Sequence, residues 1–389
     1  MAIVRNFGKP DLFVTVTCNS NWPEITTELL PNQTPADRPD LISRIFKLKL
    51  NSITNDLFKR GILGRVIAYV YVIEFQKRGL PHAHILMILA SDDKLQTPED
   101  FNNLVSAEIP DKDKQPKLYE SVTKHMVHGP CGHYNPSSPC MINGECSKYY
   151  PRNFTTNTTT DKSGYPTYRR RNIEENTFKN YKGITIDNRW IVPYNPYLTQ
   201  KYNCHINVEI CSSIKSVKYL YKYIYKGQDR VLISIMDQND EIKKYINARY
   251  VSASEAIWRL FNFGLQERSH TVERLPVHLP NQQTITYYEA EELSSILQRG
   301  AHTKLTRYFE VCANNTDNEE IQRLKYIDFP KYFVWKNNNW QKRKRGGEKV
   351  ISRLYFVNPK DEERFYLRAL LLIRNGAKSF KHLRFVNKV

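Results

Sequence analysis

Two histidines and a glutamate form the first group of residues with metal-binding chemistry. His82 and His84 are separated by one residue, so in a β-strand both imidazoles point to the same face while Ala83 points to the core. Glu74 precedes a turn rich in Gly and Pro, and its carboxylate on the partner strand can complete a site for a divalent ion. Gln76 shares the phase of Glu74 and is a second candidate for the oxygen ligand. A pair of solvated or packed histidines at a sheet edge is the alternative to a metal site.

A second group combines phenols with ammonium groups. Apolar residues at helical spacing predict a helix over residues 212–227. Tyr219 and Tyr223 are four residues apart and lie off the apolar stripe, so their hydroxyls project together. Lys222 and Lys226 each follow a tyrosine by three residues, and their charge can stabilise a phenolate or a phosphate. The pattern predicts nucleophilic tyrosines, with a helix of packing tyrosines as the alternative.

A third group is a cluster of Cys and His in a loop-rich segment with little apolar material. Its members are His125, His128, Cys131, His133, Cys140 and Cys146. A structural zinc would explain how such a segment becomes ordered, although Cys-x8-Cys-x5-Cys is not the spacing of a standard zinc finger. We predict that the three cysteines and one of the histidines bind zinc, with reduced and packed cysteines as the alternative.

The charge of the chain indicates the class of partner. The 389 residues carry a formal net charge of +18, which is typical of proteins that bind nucleic acid. Two basic runs are candidates for phosphate contact: Arg169, Arg170 and Arg171, and Lys342, Arg343, Lys344 and Arg345. The second run also has the composition of a nuclear localisation signal, and exposed solvated loops are the alternative for both. An odd number of cysteines, seven, and the lack of a long apolar run or secretory leader predict an intracellular protein with no membrane partner.

Regular elements are expected to position these groups. The β-forming runs at 66–75 and 85–89 flank a turn at 77–81 and predict a hairpin. An apolar strand at 12–18 precedes them, and helical periodicity between residues 40 and 60 predicts an amphipathic helix. This order predicts an α+β fold in which helices cover one face of an antiparallel sheet and leave the other face for nucleic acid.

Together these residues resemble the HUH endonucleases of rolling-circle replication, and specifically the Rep nuclease region of Helitron transposases. Three motifs in the family's order carry the resemblance: the strand Leu12–Cys18 with the following Asn19–Glu24, the Glu74–His84 element, and the helix with two tyrosines. Segments at 275–280 and 353–359 also look like those that follow the nuclease in Helitron proteins. The resemblance therefore extends over nearly the whole chain.

The resemblance implies an enzyme that nicks and rejoins single-stranded DNA at transposon ends. His82, His84 and Glu74 would hold Mg²⁺ or Mn²⁺, and a tyrosine would form an ester with the 5′ phosphate. Helitron proteins continue into a helicase, and this chain has no Gly-x4-Gly-Lys-Ser/Thr loop. We therefore expect a truncated copy or an isolated domain in the nucleus, with any helicase supplied in trans. The alternatives are an inactive or domesticated DNA-binding remnant and an unrelated zinc hydrolase.

The predicted fold class is α+β, with an antiparallel HUH/Rep nuclease core, a Cys/His insertion and a mixed, mainly helical C-terminal domain. Residues 1–115 are expected to form the N-terminal half of the core and 116–155 the insertion. Residues 156–230 would complete the core with the tyrosine helix. Residues 231–389 would form the region that precedes a missing helicase.

Overall fold

The computed structural model describes residues 2–75, 79–161, 165–211, 251–283 and 302–385, and the backbone of 231–234 and 245–248. The chain forms two compact units, Phe7–Arg268 and the combination of Met1–Asn6 with Ser269–Val389. The first unit continues past residue 230 because strand Gln266–Arg268 pairs with its sheet. Among the described residues, none of the helices combines the length and apolar character needed to cross a lipid bilayer.

The strands are β1 (Leu12–Thr17), β2 (Val66–Phe75), β3 (Pro81–Leu89), β4 (Met141–Ile142), β5 (Glu145–Cys146), β6 (Thr159–Thr160), β7 (Pro166–Thr167), β8 (Phe178–Lys179), β9 (Thr185–Ile186), β10 (Ile206–Ile210), β11 (Val231–Ser234), β12 (Tyr245–Ala248), β13 (Gln266–Arg268), β14 (Thr271–Leu275), β15 (Phe333–Lys336), β16 (Asn339–Lys342) and β17 (Val350–Leu354). The α-helices are α1 (Ala2–Phe7), α2 (Pro23–Thr26), α3 (Pro39–Phe58), α4 (Pro98–Leu104), α5 (Pro116–His125), α6 (Pro196–Tyr202), α7 (Ala253–Leu260), α8 (Lys304–Asn314), α9 (Glu319–Gln322), α10 (Phe329–Tyr332), α11 (Glu362–Ile373) and α12 (Phe380–Arg384).

A five-stranded antiparallel sheet organises the first unit, in the order β10-β1-β3-β2-β13. The predicted hairpin is formed by β2 and β3, where Glu74 lies directly opposite His82. Strand β3 begins at Pro81, before the apolar run that starts at residue 85, so both histidines lie inside the strand. On the other side of β3, Thr15 of β1 lies opposite His84.

The core of this unit lies between the sheet and the helices on one of its faces. Alternate residues of β1 and β3, including Val14, Ala83 and Ile85, pack with Phe46 of α3 and Trp258 of α7. The helix expected between residues 40 and 60 is therefore formed, and its apolar side covers the sheet. The opposite face of the sheet carries Glu74 and the two histidines beside a small apolar group: Phe13, Val72, Leu86 and Cys211. An α+β fold with an antiparallel central sheet is thus confirmed.

The segment between β3 and β10 is rich in loops. It contains the two-residue hairpins β4–β5, β6–β7 and β8–β9. Its apolar residues form a small core in which Leu118 and Val122 of α5 pack with Ile191 and Tyr194. Residues 191 and 194 pair with Val127 and Ser106 through isolated bridges. Short elements of this kind depend on side-chain contacts for order, since their ladders are too short to be stable alone.

The second unit mixes strands and helices. Strands β14 and β17 pair in parallel, and β15 and β16 form a hairpin. Its core contains Tyr308 of α8, Tyr326 and Phe329, with Leu371 of α11 and Trp340 of β16.

Candidate metal centre

Three side chains converge on the face of the sheet opposite the helices. The Nε2 atoms of His82 and His84 lie 3.1 Å apart. The Oε2 atom of Glu74 lies 3.5 Å from Nε2 of His82 and 3.8 Å from Nε2 of His84. Octahedral ligands at about 2.1 Å from an ion are separated by about 3 Å, so a divalent ion would require only a small closure of this triangle. The residues present therefore fit a metal with two imidazole ligands and one carboxylate ligand.

The orientation of His84 depends on neighbours in β1. Its Nδ1 atom lies 3.0 Å from Oγ1 of Thr15, which leaves Nε2 directed towards Glu74. The ring of Phe13 stacks on the imidazole, with 5.5 Å between ring centres and an interplanar angle of 23°. A hydrogen bond to the second ring nitrogen is the usual way in which proteins orient a histidine ligand. Sequence reasoning missed Thr15, although strand alternation could have placed it on the histidine face.

The protonation state of His84 suits a ligand. Burial lowers the pKa of His84 to about 3, and the adjacent His82 contributes to the decrease. The imidazole is therefore neutral at physiological pH, which leaves a lone pair for a metal. The Nδ1 atom of His82 is buried and has no hydrogen-bond partner within the described ranges.

Four further ligand atoms meet in the loop-rich segment. One ligand atom each from His128, Cys131, Cys140 and Cys146 lies within 4.8 Å of the others. Nε2 of His128 is 3.7 Å from Sγ of Cys131 and 3.5 Å from Sγ of Cys146. Tetrahedral zinc, with bonds of about 2.3 Å to sulfur and about 2.0 Å to nitrogen, separates such atoms by about 3.6 Å. The cluster thus has the composition and spacing of a Cys3His site.

The pKa values of two of the cysteines shift in opposite directions. Burial raises the pKa of Cys131 to about 12, and the neighbouring thiols of Cys146 and Cys140 contribute. For Cys146, burial raises the pKa, but backbone N–H groups of Tyr150 and Lys148 donate to the sulfur and the net shift is downwards. Amide donors of this kind stabilise a thiolate, which is the form that binds zinc.

Family comparison locates the first of these sites in a known domain. Residues 1–87 match the family described as the Helitron helicase-like domain at the N-terminus. This segment is similar to that domain. It contains β1, β2 and most of β3, and therefore Thr15, Glu74, His82 and His84. No curated protein matches the chain.

The other histidines of the predicted zinc group lie outside the Cys3His cluster. Nε2 of His125 lies 3.0 Å from Oδ1 of Asn203. His133 is exposed, and its ring lies against Tyr134. His128 is therefore the imidazole that the fold brings to the three cysteines.

The predicted nucleophilic tyrosines and their neighbouring lysines have no described position relative to the metal centre. Tyr219, Lys222, Tyr223 and Lys226 lie outside the described residues, and so does Gln76. Their roles stay predictions from the sequence.

The first basic run is engaged within the protein. Arg170 is only 5% exposed, and its Nη1 atom donates to the carbonyls of Asn188 and Ile191, each at 2.6 Å. Arg170 therefore does not match the predicted contact with phosphate, because its guanidinium binds loop carbonyls inside the protein. Arg169 and Arg171 form ion pairs with the buried Glu108 at 3.3 and 2.6 Å. Both remain half-exposed, and a phosphate contact by either stays a prediction.

The second basic run is divided in the same way. Nε of Arg343 donates to the carbonyls of Pro330 and Phe333 at 2.8 and 3.1 Å. Lys342, Lys344 and Arg345 are exposed, and Lys342 lies 4.0 Å from Glu320. The exposed members of this run are the ones able to meet a phosphate.

Proposed function

We propose that this chain is a Helitron-like Rep endonuclease, which nicks and rejoins single-stranded DNA through a covalent tyrosine ester. The observation that carries the proposal is the convergence of Glu74, His82 and His84 inside the Helitron-like domain. The net charge of +18 supports a nucleic acid substrate.

The metal site would prepare the substrate phosphate. His82, His84 and Glu74 would hold Mg²⁺ or Mn²⁺, hard ions that accept carboxylate and imidazole ligands. A bound ion would polarise the scissile phosphate and neutralise the negative charge that develops on it. Thr15 and Phe13 keep the His84 ring in the orientation that this role requires.

The tyrosines would perform the transfer. Oη of Tyr219 or Tyr223 attacks phosphorus, so that a P–O bond to tyrosine forms as the bond to the 3′ oxygen breaks. The 3′ oxygen leaves with the electron pair of that bond and takes up a proton to become a 3′ hydroxyl. The phosphate remains on the 5′ end as a phosphotyrosine, and attack by a 3′ hydroxyl reverses the reaction. Lys222 and Lys226 would stabilise the phenolate, because the phenol's ordinary pKa is near 10.

Two tyrosines would permit two successive strand transfers without release of the bound end. That sequence suits rolling-circle transposition, with transposon ends as the single-stranded substrate and helicase activity to separate the strands. The exposed basic residues Lys342, Lys344 and Arg345 are consistent with a nuclear location.

A covalent adduct tests this proposal. The purified chain is incubated with end-labelled single-stranded DNA and Mn²⁺, then denatured, and labelled protein is measured on a gel. We expect an adduct that requires added Mn²⁺, is lost in the Tyr219→Phe, Tyr223→Phe double variant, and persists in the matched Tyr221→Phe, Tyr225→Phe control. Equal adduct formation by both double variants would contradict the assignment of the nucleophiles.

A DNA-binding remnant without catalysis is the second candidate. The basic net charge favours it as much as it favours the nuclease. Tight, salt-sensitive binding with no adduct in any metal would support this alternative and exclude the nuclease.

We further propose that His128, Cys131, Cys140 and Cys146 hold a structural Zn²⁺. Zinc bound to thiolates would order a segment whose own apolar core is small. Metal analysis of the purified chain should find zinc, and Cys146→Ser should lose it. His133→Gln should retain it, since that histidine lies outside the cluster. Zinc retained in Cys146→Ser, or absent from the wild type after purification with zinc, would refute the site.

A further inference from the structure

A cavity of about 670 Å³ lies beside the Cys3His cluster. Its lining includes Tyr149, Tyr150, Arg152, Tyr168 and Glu209. Sites for small organic ligands have volumes of about 300–1,000 Å³, so the space is sufficient for one nucleotide. Cys146 also lines the cavity, but none of these five side chains is a proposed metal ligand.

Aromatic rings and a cation meet at the mouth of the cavity. Tyr149 is 73% exposed and has a φ of 59°, a left-handed conformation that is strained for a residue other than glycine. The guanidinium of Arg152 lies 5.7 Å from the ring centre of Tyr149 and 5.3 Å from that of Tyr150. Within the described ranges, Arg152 has no carboxylate within ion-pair distance. An exposed ring beside a cation is the combination that binds unpaired bases and their phosphates.

A carboxylate lies at the inner wall. Oε2 of Glu209 accepts a hydrogen bond from Oη of Tyr168 at 3.3 Å, and Oε1 accepts one from Nδ2 of Asn207 at 3.4 Å. Both distances are long for hydrogen bonds. Burial raises the pKa of Glu209, and the hydrogen bond from Asn207 and the charges of Arg152 and Arg170 offset that effect only in part. Because both hydrogen bonds are long, the carboxyl oxygens retain acceptor capacity for N–H donors from a ligand.

The walls are held by contacts that do not involve a ligand. Tyr150 stacks on His128, with 4.2 Å between ring centres and an interplanar angle of 14°. Oη of Tyr168 accepts a hydrogen bond from the backbone N–H of Ile210 at 2.9 Å. Arg170 fixes the loops behind the cavity through its carbonyl contacts. The cavity is thus preformed, which lowers the entropic cost of binding.

We propose that this cavity binds one unstacked nucleotide of a single-stranded DNA. The base stacks on Tyr149, its phosphate meets Arg152, and an exocyclic amino group on the base donates to Glu209. The inference rests on the proposed function, from which it takes single-stranded DNA as the ligand.

The sheet places the cavity and the metal centre on one surface. Glu209 lies opposite Phe13, Asn207 lies opposite Thr15, and Thr15 lies opposite His84. Two strand spacings and two residues separate Glu209 from His84, a backbone distance on the order of 12 Å. A short stretch of one DNA strand can therefore reach both sites.

Binding of short oligonucleotides tests the proposal. Fluorescence anisotropy is measured with labelled oligo-dA, oligo-dC and oligo-dT, without added Mn²⁺ or Mg²⁺, so that cleavage does not contribute. We expect Tyr149→Ala and Arg152→Ala to weaken binding of all three by on the order of tenfold. We expect Glu209→Gln to weaken oligo-dA and oligo-dC but not oligo-dT, because thymine has no exocyclic amino group.

The matched control is Tyr181→Ala combined with Lys182→Ala. Tyr181 is 92% exposed, and Nζ of Lys182 lies 5.6 Å from its ring centre, but neither residue lines the cavity. The control should bind like the wild type. Equal losses in the control and the cavity variants, or unchanged binding with no altered base preference in Glu209→Gln, would overturn the proposal.

The adduct assay separates this inference from the proposed function. Adduct formation by the wild type, with cavity variants that bind normally, would refute the nucleotide site and retain the nuclease. Weaker binding in the cavity variants, with no wild-type adduct in any metal, would retain the nucleotide site and refute the nuclease. Zinc content equal to that of the wild type verifies that each variant is folded around the Cys3His cluster.

Discussion

The chemistry of His84 depends on residues that have no direct role in binding a metal. Thr15 holds one ring nitrogen and Phe13 stacks on the ring, so the other nitrogen is directed towards Glu74. Burial keeps the imidazole neutral. The metal site is therefore built by β1 as much as by the hairpin that carries its ligands.

Replacing Thr15 tests this orientation. Thr15→Val keeps the shape of the side chain but removes the hydrogen bond to Nδ1 of His84. Loss of such a hydrogen-bond partner typically lowers metal affinity by about 10- to 100-fold. We therefore expect weaker Mn²⁺ binding, measured by calorimetry or electron paramagnetic resonance. Thr17→Val is the control, because Thr17 lies opposite His82 on the same strand and, among the described residues, its side chain forms no hydrogen bond to a metal ligand. Equal affinities for the two variants would argue against a positioning role.

His125 predicts a pH dependence of stability. Burial lowers its pKa in the folded chain to about 4, against about 6.5 in an unfolded chain. The unfolded state therefore binds more protons between these values, so stability is fully present above about pH 6.5 and decreases as the pH falls to about 4. His125→Gln should melt at a temperature that depends less on pH over this window. His133→Gln, at an exposed position, should follow the wild type; a steeper dependence in His125→Gln would contradict the prediction.

At the scale of elements, helix α3 and the hairpin β2–β3 define the site. The apolar side of α3 covers one face of the sheet, which leaves Glu74, His82 and His84 on the other. A shift of one residue in the register of β3 would turn both histidines into the core. Packing of α3 therefore stabilises the register of β3 that places both histidines on the metal-binding face.

Two leucines of α3 distinguish packing from helix propensity. Leu50 is 1% exposed and Leu48 is 64% exposed, two residues apart on the same helix. Leu50→Ala should lower the free energy of unfolding by about 2–5 kcal/mol, because it leaves a cavity in the core. Leu48→Ala should change it by less than about 0.5 kcal/mol. Chemical denaturation followed by tryptophan fluorescence measures both, and equal effects would contradict the packing role of Leu50.

At the scale of the whole molecule, the net charge of +18 governs association with DNA. Some of the 58 Lys and Arg residues are already paired locally, as Arg169 and Arg171 are with Glu108. The logarithm of the association constant for single-stranded DNA should fall linearly with the logarithm of the salt concentration. The slope should be about −0.7 for each phosphate contact. Which basic residues contribute depends on exposure and on existing partners.

Lys344 and Arg345 test that dependence. Replacing both with alanine should reduce the magnitude of the salt slope by about 1.4, since two phosphate contacts are removed. The control replaces Arg323 and Lys331 with alanine, which changes the net charge by the same amount. These two residues already form ion pairs with Glu319 and Asp328. Filter binding between low and physiological salt measures the slopes. Identical slopes for the two double variants would indicate that only net charge matters.

Local patterns in the sequence were enough to predict the hairpin, helix α3 and the shared face of His82 and His84, because strand and helix periods are properties of neighbouring residues. The three cysteines also followed from composition. Selecting His128 over His125 and His133 required the fold, since all three lie within six residues of Cys131. Thr15 is 69 positions from His84, and Arg170 is 63 positions from the carbonyl of Ala107 that it binds. Contacts across such separations arise from packing, which a local pattern does not encode.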